Sequence, residues 1–257
     1  MKSGDIMIKV EKYDDEKYAI IAISRPEKLN AINFQTGYEL VQKLREVNEN
    51  PNIRTVIITG EGRAFCSGAD VSEEVEDIGR DLKLSFHPII KEIRFSNKIY
   101  IAAINGVVAG ACIGIVLSTD FRYAKKETRF ITAFQRIGLA PDTGVAYFLL
   151  KHVKDQKAYE LTVLGGEFSA EDAEKWGLLK IVEDPLQEAK KFAKMIANGP
   201  FQSYIGGKKQ ANFVLYSDLE RFLDYELSIQ EYVGTTKDFR EGVLSFREKR
   251  EPKFKGI

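Results

Sequence analysis

The stretch Ile99-Tyr-Ile-Ala-Ala-Ile-Asn-Gly-Val-Val-Ala-Gly-Ala-Cys-Ile-Gly-Ile-Val-Leu117 decides the fold. It is apolar except for Tyr100 and Asn105, about the length of a membrane span, with a small-residue pattern at Gly106, Gly110 and Gly114. Asn105-Gly106 is a strong turn signal at its centre, and the polar run Ser118-Thr-Asp-Phe-Arg122 follows at once. The segment therefore reads as a buried strand (Ile99–Ile104), a turn and a buried helix (Ala109–Ser118), a core element and not a span.

Working outward, apolar alternation at Ile6–Val10 and Tyr18–Ser24 predicts paired strands around a charged turn, Glu11–Lys17. Helical spacing covers Asn33–Val47, and Thr55–Thr59 is a strand buried on both faces. Ser72–Ser96 reads as a polar helical stretch; short strands are expected at Phe121–Ala124 and Phe130–Thr132. The alternation of strands and helices predicts an α/β core with parallel pairing. Beyond Lys154 helices dominate. One is capped by Ser169-Ala-Glu-Asp172 and closed at Gly177; the others are Pro185–Asn198, Phe213–Val233 and Lys237–Lys249. Residues 1–198 are expected as the core and 199–257 as a helical region that packs on the core or on a neighbouring subunit.

With 257 residues, 44% of them hydrophobic, the chain can bury a full core. Lys+Arg and Asp+Glu are equal at 38 each, so no net field favours nucleic acid or an anionic membrane, though a local basic patch around Lys208 and Lys209 stays open. Cys66 and Cys112 read as reduced thiols, with one disulfide as the alternative. The start of the chain, Met1-Lys-Ser-Gly-Asp-Ile6, lacks the apolar core of a signal peptide, so a cytoplasmic protein is expected. No His/Cys/Asp cluster has metal-ligand spacing, and no G-x-G-x-x-G follows the first strand.

The chemistry gathers at Asp142, in Arg136-Ile-Gly-Leu-Ala-Pro-Asp-Thr-Gly144. Upstream lie two Gly/Ala-rich turns, Phe65-Cys-Ser-Gly-Ala-Asp-Val71 and Asn105–Gly114, which can present bare backbone N–H groups to a developing oxyanion. Taken singly, such turns are tight packing, and an Asp after Pro is a helix N-cap, here ahead of Gly144–Leu150. Together, a carboxylate and two N–H donors can remove a proton from carbon beside a carbonyl.

Five segments, in order, carry a resemblance to the crotonase (enoyl-CoA hydratase/isomerase) superfamily. They are Arg25-Pro-Glu-Lys-Leu-Asn-Ala-Ile-Asn33, Gly60-Glu-Gly-Arg-Ala-Phe-Cys-Ser-Gly-Ala-Asp70, Ala102-Ala-Ile-Asn-Gly-Val-Val-Ala-Gly-Ala111, Ser169-Ala-Glu-Asp-Ala-Glu-Lys-Trp-Gly-Leu178 and Glu241-Gly-Val-Leu-Ser-Phe-Arg-Glu-Lys-Arg250. The resemblance implies a spiral of ββα units with a C-terminal helical trimerisation region. It also implies an acyl-CoA thioester substrate, no cofactor beyond the CoA that the substrate carries, and a homotrimer or dimer of trimers. Carried over by position, the oxyanion hole falls on Ala69 and Ala111, beside Gly68 and Gly110. CoA is expected along Lys28, Leu29 and Ala31, with Asp70 and Val71 bordering the pantetheine and Phe246 and Lys249 at the nucleotide. Phe134 and His87 border the acyl pocket; His87 reads either as a second polar group over the acyl chain or as a core histidine satisfied by backbone. His152 reads as surface.

The departures narrow the activity. Hydratases of this family use two glutamates to activate water, and their positions hold Gly114 and Phe134. Ordinary hydration loses its acid and base, and restoring both carboxylates is expected to return it. Asp142 stands where isomerase branches carry their acidic residue, including the isomerase of ring-epoxide phenylacetyl-CoA. A double-bond isomerase with Asp142 as sole acid/base is thus the first expectation. A hydratase or other lyase of the same fold is the next, then an aryl-CoA dehalogenase-like nucleophile at Asp142, then a non-catalytic acyl-CoA or RNA-binding relative.

Overall fold

The computed structural model describes residues 6–72 and 77–257. Strand β1 (Ile8–Tyr13) pairs antiparallel with β2 (Tyr18–Ile23) through a 3-10 turn, Asp14–Glu16, closed by Lys17 in the left-handed region. The first strand runs past Val10, where a longer charged turn was expected. It lies at the sheet edge, so Glu11 and Lys12 keep one side in solvent while Tyr13 stacks on Tyr18 at 4.7 Å.

Helix α1 (Phe34–Glu49) starts where the Asn33 side chain accepts the Thr36 N–H. It buries Leu40, Val41, Leu44 and Val47, a stripe at helical spacing. Strand β3 (Thr55–Gly60) follows, buried at every position, and passes into a short strand β4 (Ala64–Cys66). Of the expected helical stretch Ser72–Ser96, residues 73–76 lie outside the described ones. The rest is a short helix α2 (Ile78–Asp81), a π-helical turn Leu82–Phe86, and α3 (His87–Arg94).

The apolar run from Ile99 to Leu117 resolves into three pieces. Strand β5 (Ile99–Ile104) passes through Asn105-Gly106 into β6 (Val107–Ala109), and helix α4 (Ala111–Ser118) leaves from Gly110. Val107–Ala109, expected as turn and helix start, is thus a strand. Then come β7 (Phe121–Ala124), β8 (Arg129–Thr132), α5 (Val145–His152), α6 (Asp155–Val163), β9 (Gly166–Ser169), α7 (Ala170–Lys175) and β10 (Lys180–Ile181). Helix α7 carries the expected capping box between Ser169 and Asp172.

The strands build two sheets. The larger runs β1-β2-β3-β5-β7-β10, parallel from β2 onward, and the smaller runs β4-β6-β8-β9. Each repeat places one strand in the large sheet, the next in the small sheet, then a helix: β3-β4, β5-β6-α4, β7-β8-α5. This is the spiral of ββα units expected above.

Helix α8 (Pro185–Asn198) covers the far face of the large sheet, where Ala189 and Ala193 pack with Ile57, Ile101 and Ala103. The helix expected at Phe213–Val233 is two helices, α9 (Phe201–Tyr216) and α10 (Leu219–Val233). The break is held from outside: Tyr147 Oη and Lys151 Nζ both donate to the Leu215 carbonyl and to Asp218. Helix α11 (Lys237–Glu248) closes the chain. Leu219 and Leu223 of α10 are fully buried in the main core, so this region packs on its own chain. Outward it exposes Phe213, Val214, Tyr225 and Tyr232.

Two surface readings change. Lys208 is no part of a basic patch: it is buried and donates to the Ile93 and Lys98 carbonyls and to Asp120. His152 is half-buried and bonds the Tyr216 hydroxyl at 2.8 Å. Among the described residues no helix is long and apolar enough to cross a membrane.

Candidate active site

The two Gly/Ala-rich turns meet over one cavity of about 490 Å³. The first turn follows β4. Ile32 and Asp70 give their N–H groups to Gly68 and Ile32 carbonyls, pinning the chain on both sides of Ala69. Asp70 locks it further: its carboxylate receives Arg25 at 3.0 Å and the Ser72 hydroxyl, while Arg25 also donates to the Ala31 carbonyl. Burial pushes the Asp70 carboxyl up, but Ser72, Lys28 and Arg25 outweigh it and hold it below its ordinary value. Asp70 is therefore an anchored ion and not a free base.

The second turn follows β6. Gly110 caps α4 with φ 52°, a conformation that costs a side chain dearly, and its N–H goes to the Ile131 carbonyl. Ala111 is the first residue of α4, where N–H groups lack helical partners and the helix dipole favours negative charge. Among the described residues no backbone carbonyl accepts the N–H of Ala69 or of Ala111. Both residues line the cavity, and the turns touch: a Cβ on Gly68 would stand 3.6 Å from Gly110 Cα.

Asp142 lines the same cavity and is 8% exposed. It does not cap α5. Gly144 holds that position and has no side chain to bond the first N–H groups of the helix, and the chain kinks through Thr143 (φ 54°) and Gly144 (φ 73°). A β-branched residue at positive φ is a strained conformation, of order 1–3 kcal/mol. The kink turns the carboxyl away from the helix. Its oxygens instead receive the Thr143 hydroxyl at 2.8 Å and the Gln230 amide at 3.1 Å. Burial first, and the charge of Glu226 second, push its pKa up to about 7.

Glu226 and Gln230 come from α10 and were not anticipated. Both are buried, one turn apart. Gln230 accepts the Ala140 N–H, and Glu226 accepts the Gly144 N–H with both oxygens. The signal lay in the helix pattern: Leu219, Leu223, Glu226 and Gln230 share one buried stripe, and the last two are polar. His87, given two readings above, meets neither. It stands behind the cavity wall and bonds the Glu226 carboxylate at 2.9 Å, and burial lowers its pKa to about 4.

Phe134 lines the cavity with Ile78, Leu82, Phe86, Leu139 and Phe239, giving an apolar wall. Val71 and Phe246 also line it, as does Asp81. Lys28, Leu29, Ala31 and Lys249 lie outside that lining. Lys28 bonds Ser72 at the surface, and exposed Lys249 ends α11 in the left-handed region. Gly114 is closed to any side chain, since a Cβ there would stand 2.0 Å from the Thr143 carbonyl oxygen. The expectation that a glutamate at 114 restores water activation is thus corrected: it would displace the loop that carries Asp142.

Cys66 and Cys112, expected as reduced thiols, are joined as a disulfide, with Cα atoms 5.9 Å apart. The bridge ties the end of β4 to the first turn of α4, at the foot of both turns. Among the described residues no cluster of His, Cys, Asp and Glu could hold a metal ion.

Comparison with known proteins places the chain in a family. The family model described as enoyl-CoA hydratase/isomerase matches residues 15–257. The chain is 33% identical over 247 residues to the Escherichia coli 1,2-epoxyphenylacetyl-CoA isomerase, covering 92% of this chain and 94% of that protein. A Rhodobacter capsulatus protein named "Probable enoyl-CoA hydratase" is 34% identical over 247 residues, covering 94% and 95%. Among solved structures, an enoyl-CoA hydratase from Mycobacterium avium subsp. paratuberculosis superposes with a TM-score of 0.87 at 25% identity, covering 97% of this chain and 99% of that one.

Proposed function

This chain belongs to the enoyl-CoA hydratase/isomerase family, and within it we propose that it is an acyl-CoA isomerase in which Asp142 is the single acid/base. One observation carries the reading: a buried carboxyl whose pKa stands near neutral shares an apolar cavity with two backbone turns offering the Ala69 and Ala111 N–H groups. The thioester oxygen accepts those two N–H groups. Asp142 takes a proton from C2 of a 3-enoyl thioester, and the electron pair moves into the carbonyl as a dienolate. Returning the proton to C4 leaves the 2,3 double bond and restores the carboxylate. C2 and C4 are neighbours-but-one, so one carboxyl serves both, and no electrons enter or leave. Each N–H donor to the enolate is typically worth about 10²–10³ in rate.

The apolar wall of Phe86, Phe134 and Leu139 suits an acyl or aryl chain, and we assign Phe246 of the same lining, with Lys28 and Lys249 outside it, to the CoA end. Rearrangement of a ring epoxide, the substrate in the E. coli relative's name, would use the same donors and is the second substrate class. Hydration is disfavoured because positions 114 and 134 offer a carbonyl-packed glycine and a benzyl group where water needs carboxylates. A panel of 3-enoyl-, 2-enoyl- and aryl-acetyl-CoA thioesters tests this. Fast 3-to-2 isomerisation with slow crotonyl-CoA hydration is expected. Hydration outpacing isomerisation would make the chain a hydratase.

A further inference from the structure

We propose that Glu226 is a positioning residue for Asp142: from α10 it fixes the Thr143–Gly144 turn and, through its charge, sets the pH at which Asp142 becomes a base. The inference rests on the reading of Asp142 as the base. Glu226 is 2% exposed and lies outside the cavity lining, behind the loop that carries Asp142. Its two oxygens receive the Gly144 N–H at 3.1 and 3.0 Å, and Oε1 also meets His87 Nε2 at 2.9 Å.

Gln230, one helical turn away, shows what simple tethering requires. Its Oε1 takes the Ala140 N–H at 3.2 Å and its Nε2 gives a hydrogen to Asp142. That tie uses no charge. A second carboxyl buried beside the first costs several kcal/mol of desolvation, and a glutamine would hold the Gly144 N–H without it. The charge therefore acts on something, and Asp142 is the group within its field.

The two buried carboxyls titrate as a coupled pair, and the donors around each bear on where a negative charge settles. Burial pushes the Glu226 carboxyl up as well, and the N–H groups of Gly144 and Thr143, which can only donate, draw it part of the way back toward the carboxylate. His87 is neutral, since burial lowers its pKa, so it sets no positive charge beside Glu226, which it meets through Nε2. With Glu226 ionised, Asp142 titrates against a neighbouring negative charge and against burial, which both hold its proton on. A base poised near neutrality, not one ionised far below it, is the stronger proton acceptor.

Other charged groups around the pair are few. Helix α3 offers His87 and Lys91, the latter paired with Glu220. Helix α10 itself carries Asp224 and Glu231, and α2, packed on α10, brings Arg80 and Asp81. Among the described residues the structure records no salt bridge from a lysine or arginine to Glu226 or Asp142.

Glu226→Gln tests the proposal, since it keeps an oxygen for Gly144 and removes the charge. The pH profile of kcat/KM should keep its acid limb but move it about one pH unit or more downward, with KM at the plateau little changed. A merely structural role would not move that limb. An acid limb that stays in place in a folded Glu226→Gln protein overturns the inference. Failure of the underlying reading looks different, because turnover and its acid limb would then survive Asp142→Asn. Should Glu226→Gln not fold, infrared titration of the unmodified protein decides. Two buried carboxyls ionising in separate steps, with one step lost in Asp142→Asn, are expected; a single step overturns the coupling.

Discussion

Replacing Asp142 by Asn should slow turnover by orders of magnitude and stabilise the protein, with the stability gain tied to pH. The site can accept the change. The Asn oxygen can take the Gln230 hydrogen, and the Thr143 hydroxyl can turn to accept from the new amide, so neither bond is orphaned. Rate should fall by about 10²–10⁴, the usual contribution of a general base. In stability, the folded carboxyl holds its proton up to about pH 7 whereas the unfolded one releases it near 3.8. Folded pKa above unfolded pKa means that ionisation penalises the native state as pH rises. The penalty is absent below 3.8, grows by about 1.4 kcal/mol per pH unit and levels off above 7. An asparagine side chain carries none of it. The stability difference between variant and parent should thus be near zero at about pH 4 and reach at most about 4 kcal/mol by about pH 7. Urea denaturation at several pH values measures the difference, and C2 proton exchange of an acyl-CoA in deuterated water measures the base. An Asp142→Asn protein with near-normal exchange, or a stability difference that does not change with pH, would refute the assignment.

Two further outcomes follow from the packing of the loop. Gly114→Ala places a methyl against the Thr143 carbonyl, an overpacking cost of about 1–3 kcal/mol; thermal denaturation should show it, with isomerisation reduced more than CoA affinity, and an unchanged melting temperature and rate would contradict the contact. The Cys66–Cys112 bridge spans 46 residues, so reduction should lower unfolding free energy by about 4 kcal/mol on the chain-entropy account. Denaturant midpoints with and without a thiol reductant measure this, and alkylation of both cysteines under non-reducing denaturing conditions would show that no bridge forms.

The sequence by itself determined the repeating part of this protein. Runs such as Thr55–Gly60 and Ile99–Ile104 are buried strands because six residues rich in Val and Ile, bounded by turn and polar signals, suit a strand covered on both faces. Asn105-Gly106 and the Ser169–Asp172 cap mark their turns because local chemistry fixes them. Asp142 and the Ala69 and Ala111 turns were legible for the same reason: residue types that serve that chemistry cluster in short stretches.

Phe121–Ala124 and Phe130–Thr132 were legible as short strands, but others were not. Ala64–Cys66, Val107–Ala109 and Gly166–Ser169 exist because they add to a neighbour in the small sheet, which no local pattern encodes. The environment of Asp142 was decided by tertiary structure alone. Glu226 lies 82 positions after the Gly144 whose N–H it accepts, and only the packing of Leu219 and Leu223 brings α10 over the loop. Burial, which raises the Asp142 carboxyl and keeps His87 neutral, is a property of that packing and not of either residue. The closed space at Gly114 is likewise set by the approach of Thr143 from a different turn of the spiral.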